Sequence, residues 1–178
     1  RHNFVRVAVA IPEVRVADPA FNAQQIVALL GQAAKRRAAL AVFPELGLTA
    51  YSCEDLFHQQ ALLDGALGAL GEVVRASAGL DLVAVVGLPV RVDGLLYNCA
   101  AVLHRGRILG VVPKTYPPNY REFYELRHFA PASYAGAREI DLAGQRGVPF
   151  GARLLFEAED QPGFVLAAEI CEDLWTPI

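Results

Sequence analysis

LVAVVGLPVRVDGLLYNCAAVLHRGRILGVVPK (residues 82–114) decides the fold. The apolar run Leu82–Val92 ends at Asp93-Gly94, a dipeptide suited to the positive φ angles of a two-residue hairpin turn. Leu95–His104 returns, Arg105-Gly106 turns again, and Arg107–Pro113 completes a meander of three antiparallel strands. Upstream the pattern changes. Arg6–Ile11 (RVAVAI) reads as a buried strand bounded by Pro12, and Asp18-Pro19 opens a helix as N-cap and first helical residue. Ile26, Leu29, Leu30 and Ala33 recur behind it at helical spacing, with Lys35-Arg36-Arg37 at the negative end of the helix dipole. Leu40–Pro44 (LAVFP) is a second short strand. Glu54 to about Ala76 reads as a second helix with Leu63, Leu67, Leu70 and Val74 on one face, although Gly65, Gly68 and Gly71 weaken its continuity. Downstream, residues 128–151 read as a long irregular connection, and Leu154–Glu157 and Phe164–Ile170 as two more strands. The order β-α-β-α followed by antiparallel strands predicts a one-domain α/β fold of mixed sheets covered by helices.

Composition narrows the function. The 178 residues, 54% hydrophobic and 20% charged, suffice for a real core and exclude disorder. A net charge of −3 with no basic run argues against a nucleic-acid partner. No apolar stretch approaches the roughly 18–20 residues of a membrane span and no signal peptide opens the sequence, so no membrane partner and a cytoplasmic location are expected. Cys53, Cys99 and Cys171 are odd in number and far apart, which predicts reduced thiols rather than a disulfide framework. His2, His58, His104 and His128 show no ligand spacing, and no metal site is expected. The absence of methionine predicts a chain that is processed or part of something longer. Nucleotide and esterase signatures (G-x-G-x-x-G, the phosphate P-loop, G-x-S-x-G) are missing.

Three apolar runs each deliver a polar residue of a different chemical type. LAVFP leads to Glu45, ILGVVP to Lys114 and VLAAEI to Cys171. Strand ends are rigid places from which a site can be built. Taken singly, each residue has a plainer reading: a solvated loop acid, the cap of a sheet edge, and an inert core thiol. Lys114 is harder to dismiss in a chain with 14 arginines and only two lysines. Together the three make a chemical set. A thiol attacks an acyl carbon only as thiolate, and the acids Glu169, Glu172 and Asp173 around Cys171 should raise its pKa. A carboxylate base and a compensating lysine would answer that, the lysine also stabilising the oxyanion of the tetrahedral intermediate.

At these residues the sequence resembles the nitrilase, or carbon–nitrogen hydrolase, superfamily, whose catalytic set is Glu, Lys and Cys. FPELGLTAYSCEDLF (43–57), VPKTYPPNYREFYELRHF (112–129) and EICEDLW (169–175) are similar to the glutaminase domains of glutamine-dependent NAD synthetases. The resemblance runs from the first strand to Trp175 and implies a nitrilase-like αββα sandwich. It implies Glu45 as general base, Lys114 as oxyanion-stabilising residue and Cys171 as the nucleophile that becomes a glutamyl thioester. The family pattern places a second active-site glutamate eight residues past the lysine, which is Glu122, with Glu125 the other candidate. Tyr120 and Phe123 would line a glutamine pocket, with Tyr51 and Glu172 as further binding candidates; the plainer reading of the aromatics is packing of their own loop. Cys53 and Cys99 read as structural.

Residues 1–178 are thus expected to be a glutaminase domain without its C-terminal part and without the ATP-pyrophosphatase domain marked by S-G-G-x-D-S. Glutamine hydrolysis would need no cofactor; ATP and Mg would serve the synthetase domain. The implied partners are L-glutamine, that domain, and further copies in a homo-oligomer. Two other readings stay open: a stand-alone amidase or nitrilase of the same superfamily, and a non-catalytic assembly module.

Overall fold

Both predicted turns form. In the computed structural model, which describes residues 4–176, β3 (Val83–Val92) and β4 (Leu95–His104) pair along their whole length. The turn residues Asp93 and Gly94 have φ of 49° and 80°, and Arg105 and Gly106, which lead into β5 (Arg107–Pro113), have 45° and 77°. Two positive φ values in succession match the right-handed twist of the strands they join. Upstream lie β1 (Val7–Val9) and β2 (Leu40–Val42), shorter than their apolar runs. The sheet order is β1-β2-β3-β4-β5, parallel from β1 to β3 and antiparallel from β3 to β5.

Helices supply the two parallel crossovers. α1 (Pro19–Lys35) begins as predicted, with the Asp18 carboxylate accepting from Phe21 N at 3.1 Å. Its buried face is Asn22, Ala23, Ile26, Leu30 and Ala33, with Leu29 at the margin. The second helix differs from its expected span. A 3-10 turn, Glu54–His58, is separated from α2 (Gln60–Ser77) by the extended residue Gln59. Phe57 pulls that turn away, packing in a small core of its own with Leu46, Cys53, Leu63 and Phe129. The α2 face is centred on Leu63, Ala66, Leu70 and Val73, leaving Leu67 and Val74 partly buried. Packing of that face outweighs the propensity cost of three glycines, and the helix runs through them.

Alternate residues of the central strands serve the two faces of the sheet. Ala84, Val86 and Leu88 meet the helices, whereas Val85, Ala100 and Val102 meet the C-terminal segment through Ile170, Phe156 and Leu166. This is the expected mixed α/β arrangement with helices over the sheet.

Two downstream expectations are corrected. Within 128–151 the chain forms a hairpin, β6 (Glu139–Leu142) and β7 (Gln145–Pro149), whose end Phe150 bridges to Val111 of β5. The expected strands at 154–157 and 164–170 shrink to β8 (Phe156–Glu157) and β9 (Val165–Leu166), which pair only with each other. Lying across a sheet face rather than along a strand edge, this segment finds no ladder to extend it. Among the described residues no helix is long and apolar enough to cross a membrane.

Candidate active site

Glu45 sits three residues beyond the end of β2, on a loop laid against β3. Phe43 N donates to Val85 O at 3.0 Å, and Leu48 N to Gly87 O at 3.1 Å. Between those bonds the loop passes Gly87 so closely that a Cβ there would lie 2.4 Å from Leu46 N and 2.6 Å from Pro44 O. Only glycine admits that approach. The loop thereby aims Glu45 back over the sheet, where Asn98 of β4 donates from Nδ2 to Oε1 at 2.6 Å.

Lys114 follows β5 directly, and Lys114 N donates to Asn98 O at 2.8 Å. Its side chain is fully buried, with Nζ between Glu45 Oε1 at 2.7 Å and Glu125 Oε1 at 2.8 Å. Glu125 also accepts from the Tyr51 hydroxyl at 2.7 Å. Burial alone would lower the lysine pKa, but the two carboxylates outweigh it and raise it, so Lys114 is a fixed positive charge. One cation between two acids leaves an excess of negative charge. Burial raises the Glu125 pKa despite Lys114 and Tyr51, with the Glu45 charge adding to it, and burial, then the Glu125 hydrogen bond, push the Tyr51 hydroxyl far up.

Cys171 is not the end of a strand. It opens a 3-10 turn, Cys171–Trp175, with φ of 50°, a conformation costly for a side chain with Cβ and a mark of constrained sites. Asp173, 2% exposed, holds that turn. Its carboxylate accepts from Thr115 N at 3.1 Å, Tyr116 N at 2.8 Å and Ile170 N at 3.2 Å. One side chain thus ties the backbone after Lys114 to the backbone before Cys171. The Cys171 thiol is pushed up by its partial burial, then by Glu45, with Lys114 opposing and Glu125 and Glu172 adding. The expected direction holds, but the acids rank differently: Glu45 and Glu125, remote in sequence, raise the thiol more than the neighbour Glu172, and Asp173 is occupied by backbone N–H groups.

Glu45 and Cys171 line one cavity of about 220 Å³ between the sheet and residues 166–171. Tyr51, Glu122, Phe123 and Glu125 line another of about 240 Å³. Glu122 is exposed, and the glutamate against Lys114 is Glu125, three residues beyond the position that the family spacing indicates. Tyr120 donates to Glu172 Oε2 at 2.9 Å at the surface. Asn98 and Gly87 were missed, and Asp173 was expected to act only as a charge near Cys171. Asn98 could have been suspected as a polar residue within an apolar strand; Gly87 carries no local signal. Cys53 and Cys99 are buried, and His2 lies outside the described residues. A carboxylate, a buried lysine and a thiol on a strained turn can carry out nucleophilic attack on an acyl carbon with charge compensation.

Residues 6–178 match the carbon–nitrogen hydrolase family, and the chain belongs to that family. The glutamine-dependent NAD(+) synthetase of Mycobacterium tuberculosis (strain ATCC 25618 / H37Rv) is 49% identical over 178 residues, which are 100% of this chain and 26% of that protein. The crystal structure of a glutamine-dependent NAD(+) synthetase from Cytophaga hutchinsonii superposes with a TM-score of 0.79 at 26% identity, over 88% of this chain and 26% of that one. The glutamine-dependent NAD+ synthetase of Acinetobacter baumannii, solved with adenosine diphosphate, gives 0.72 at 31% identity, over 96% and 28%. The chain spans about a quarter of the length of these relatives.

Proposed function

We propose that this chain hydrolyses the side-chain amide of L-glutamine to glutamate and ammonia, using Glu45, Lys114 and Cys171. The buried Lys114 ammonium, held 2.7 Å from Glu45 beside the Cys171 turn, is the observation that carries the reading. Glu45 takes the thiol proton, and the thiolate adds to the amide carbon. Lys114 stabilises the resulting oxyanion, an interaction worth about 3–4 kcal/mol for a single donor. Glu45 returns the proton to the nitrogen, ammonia leaves, and a thioester remains on Cys171. Water, deprotonated by Glu45, then displaces the thiolate to give glutamate, and Glu45 returns that proton to the sulfur, restoring the Cys171 thiol. No step needs a cofactor. Glu125 and Tyr51 hold Lys114 in place, and Tyr120, Phe123 and Glu172 form the rim that receives the amino-acid end of the substrate.

The named relatives, glutamine-dependent NAD(+) synthetases, support NAD synthesis as the destination of the ammonia. The rest of the proposal is an ATP- and Mg-dependent synthetase domain that amidates deamido-NAD, in a cytoplasmic homo-oligomer. Glutamine, aliphatic amides and nitriles offered in parallel test the substrate class. A diazo-ketone analogue of glutamine should label Cys171 alone, and excess glutamine should block it. Preference for another amide would make the chain a different amidase, and an unreactive Cys171 in a folded protein would make it an assembly module.

A further inference from the structure

The two 3-10 regions around the site bring together residues that lie far apart in sequence. His58, at the end of the turn Glu54–His58, faces His128, just past the turn Glu125–Arg127, with His58 Nε2 and His128 Nδ1 3.2 Å apart. Asp55, one helical turn before His58, completes a group whose ligand atoms all lie within 4.8 Å of one another. We propose that Asp55, His58 and His128 bind one divalent ion of the zinc class.

Three observations carry this. Imidazole nitrogens bound to zinc at about 2.0–2.1 Å in tetrahedral geometry stand roughly 3.3 Å apart, close to the spacing found here. The rings are also held before any ion arrives: His128 packs against Phe57 and Phe129, with centroids at 5.7 and 6.2 Å, and its ring lies 5.3 Å from that of His58. Finally, the carboxylate already attracts a cation. Arg127 reaches Asp55 Oδ1 from Nη2 at 2.8 Å and from Nε at 3.0 Å. Metal binding exchanges that guanidinium for the ion. Two imidazoles with one carboxylate favour zinc over magnesium or calcium, and the exposure of Asp55 and His58 leaves a path of entry. The three ligands are distinct from Glu45, Lys114 and Cys171, although His128 shares a cavity lining with Tyr51, Phe123 and Glu125, and the proposal does not rest on the glutaminase reading.

Zinc chloride titrated by calorimetry into the protein carrying Cys171→Ala, which removes the competing thiol, tests it. One saturating equivalent is expected. His58→Gln and His128→Gln should each weaken it more than about 100-fold, beyond the cost of losing an outer-shell partner. His104→Gln should leave it unchanged. Arg127→Gln should tighten binding, and adding Asp55→Asn should cancel that gain, a coupling a two-histidine surface chelate would not show. Binding that survives both histidine substitutions, or no saturable equivalent, overturns the proposal. Should a variant fail to fold, zinc should shield His58 and His128, but not His104, from diethyl pyrocarbonate in the unsubstituted protein; equal modification of all three overturns it as well.

Discussion

Gly87 and Leu46 lie so close that a Cβ on the glycine would stand 2.4 Å from the leucine nitrogen. Gly87→Ala must therefore push the Glu45 loop off β3. Glutamine hydrolysis should fall about 100-fold, the cost of misplacing a catalytic group by an ångström. Circular dichroism should show the fold retained, and unchanged kcat would mean the loop relaxes without moving Glu45.

Lys114→Ala removes the positive charge that opposes the upward push on the Cys171 thiol. Hydrolysis should drop by at least about 10²–10³-fold. Alkylation of Cys171 by iodoacetamide should also slow at fixed pH, because less thiolate is present. If labelling keeps its rate, the lysine does not act on the thiol.

The same balance gives a pH prediction with two signs. Cys171 is held above the ordinary thiol range, so its alkylation should keep rising with pH through the neutral range rather than reach a plateau there. Glu45→Gln deletes the largest raising charge and should shift that profile to lower pH while abolishing hydrolysis. Lys114→Ala should shift it to higher pH. A profile identical in all three proteins would rule out this electrostatic arrangement.

Glu125, not Glu122, touches Lys114. Glu125→Gln should reduce kcat by about 10–100-fold, as expected for the partner that orients a working group. Glu122→Gln, at an exposed position, should leave kcat near that of the unsubstituted protein. Steady-state kinetics of the pair decides between the two glutamates.

Asp173→Ala leaves the backbone N–H groups of Thr115, Tyr116 and Ile170 without their acceptor. A loss of about 1–3 kcal/mol in stability is expected for the buried Ile170 donor, with smaller losses from the half-buried donors of Thr115 and Tyr116, and thermal melting reads it. Activity at a temperature where the variant is fully folded should still be low, since Cys171 is no longer fixed relative to Lys114. Full activity there would reduce Asp173 to a stabilising residue.

The central meander could be read from the sequence because turn chemistry and alternation agree at Asp93-Gly94 and Arg105-Gly106. Glu45 and Lys114 were legible for a related reason: an apolar run that stops at a charge marks where a strand leaves the core. Cys171 stands at the end of a strand in the sequence pattern but not in the fold, since VLAAEI forms only the two-residue β9 before its turn. Glu125 was ranked behind Glu122 because spacing along the chain does not reveal which glutamate the turn Glu125–Arg127 directs inward. Gly87, and the meeting of His58 with His128, depend on approaches between segments remote in sequence, and no local pattern encodes them.

The Lys114–Glu125 pair also closes the chain on itself. Residues 115–124 form a hoop whose two ends meet at a 2.8 Å ionic clasp. Closing such a hoop costs little more when it lengthens by a few residues. Tyr120 and Phe123 ride on it while the charged centre belongs to its ends. The hoop is accordingly pinned at both ends, by Asp173 on Thr115 and Tyr116 and by the clasp at Glu125, and only the stretch between these anchors can change sequence or length at small cost.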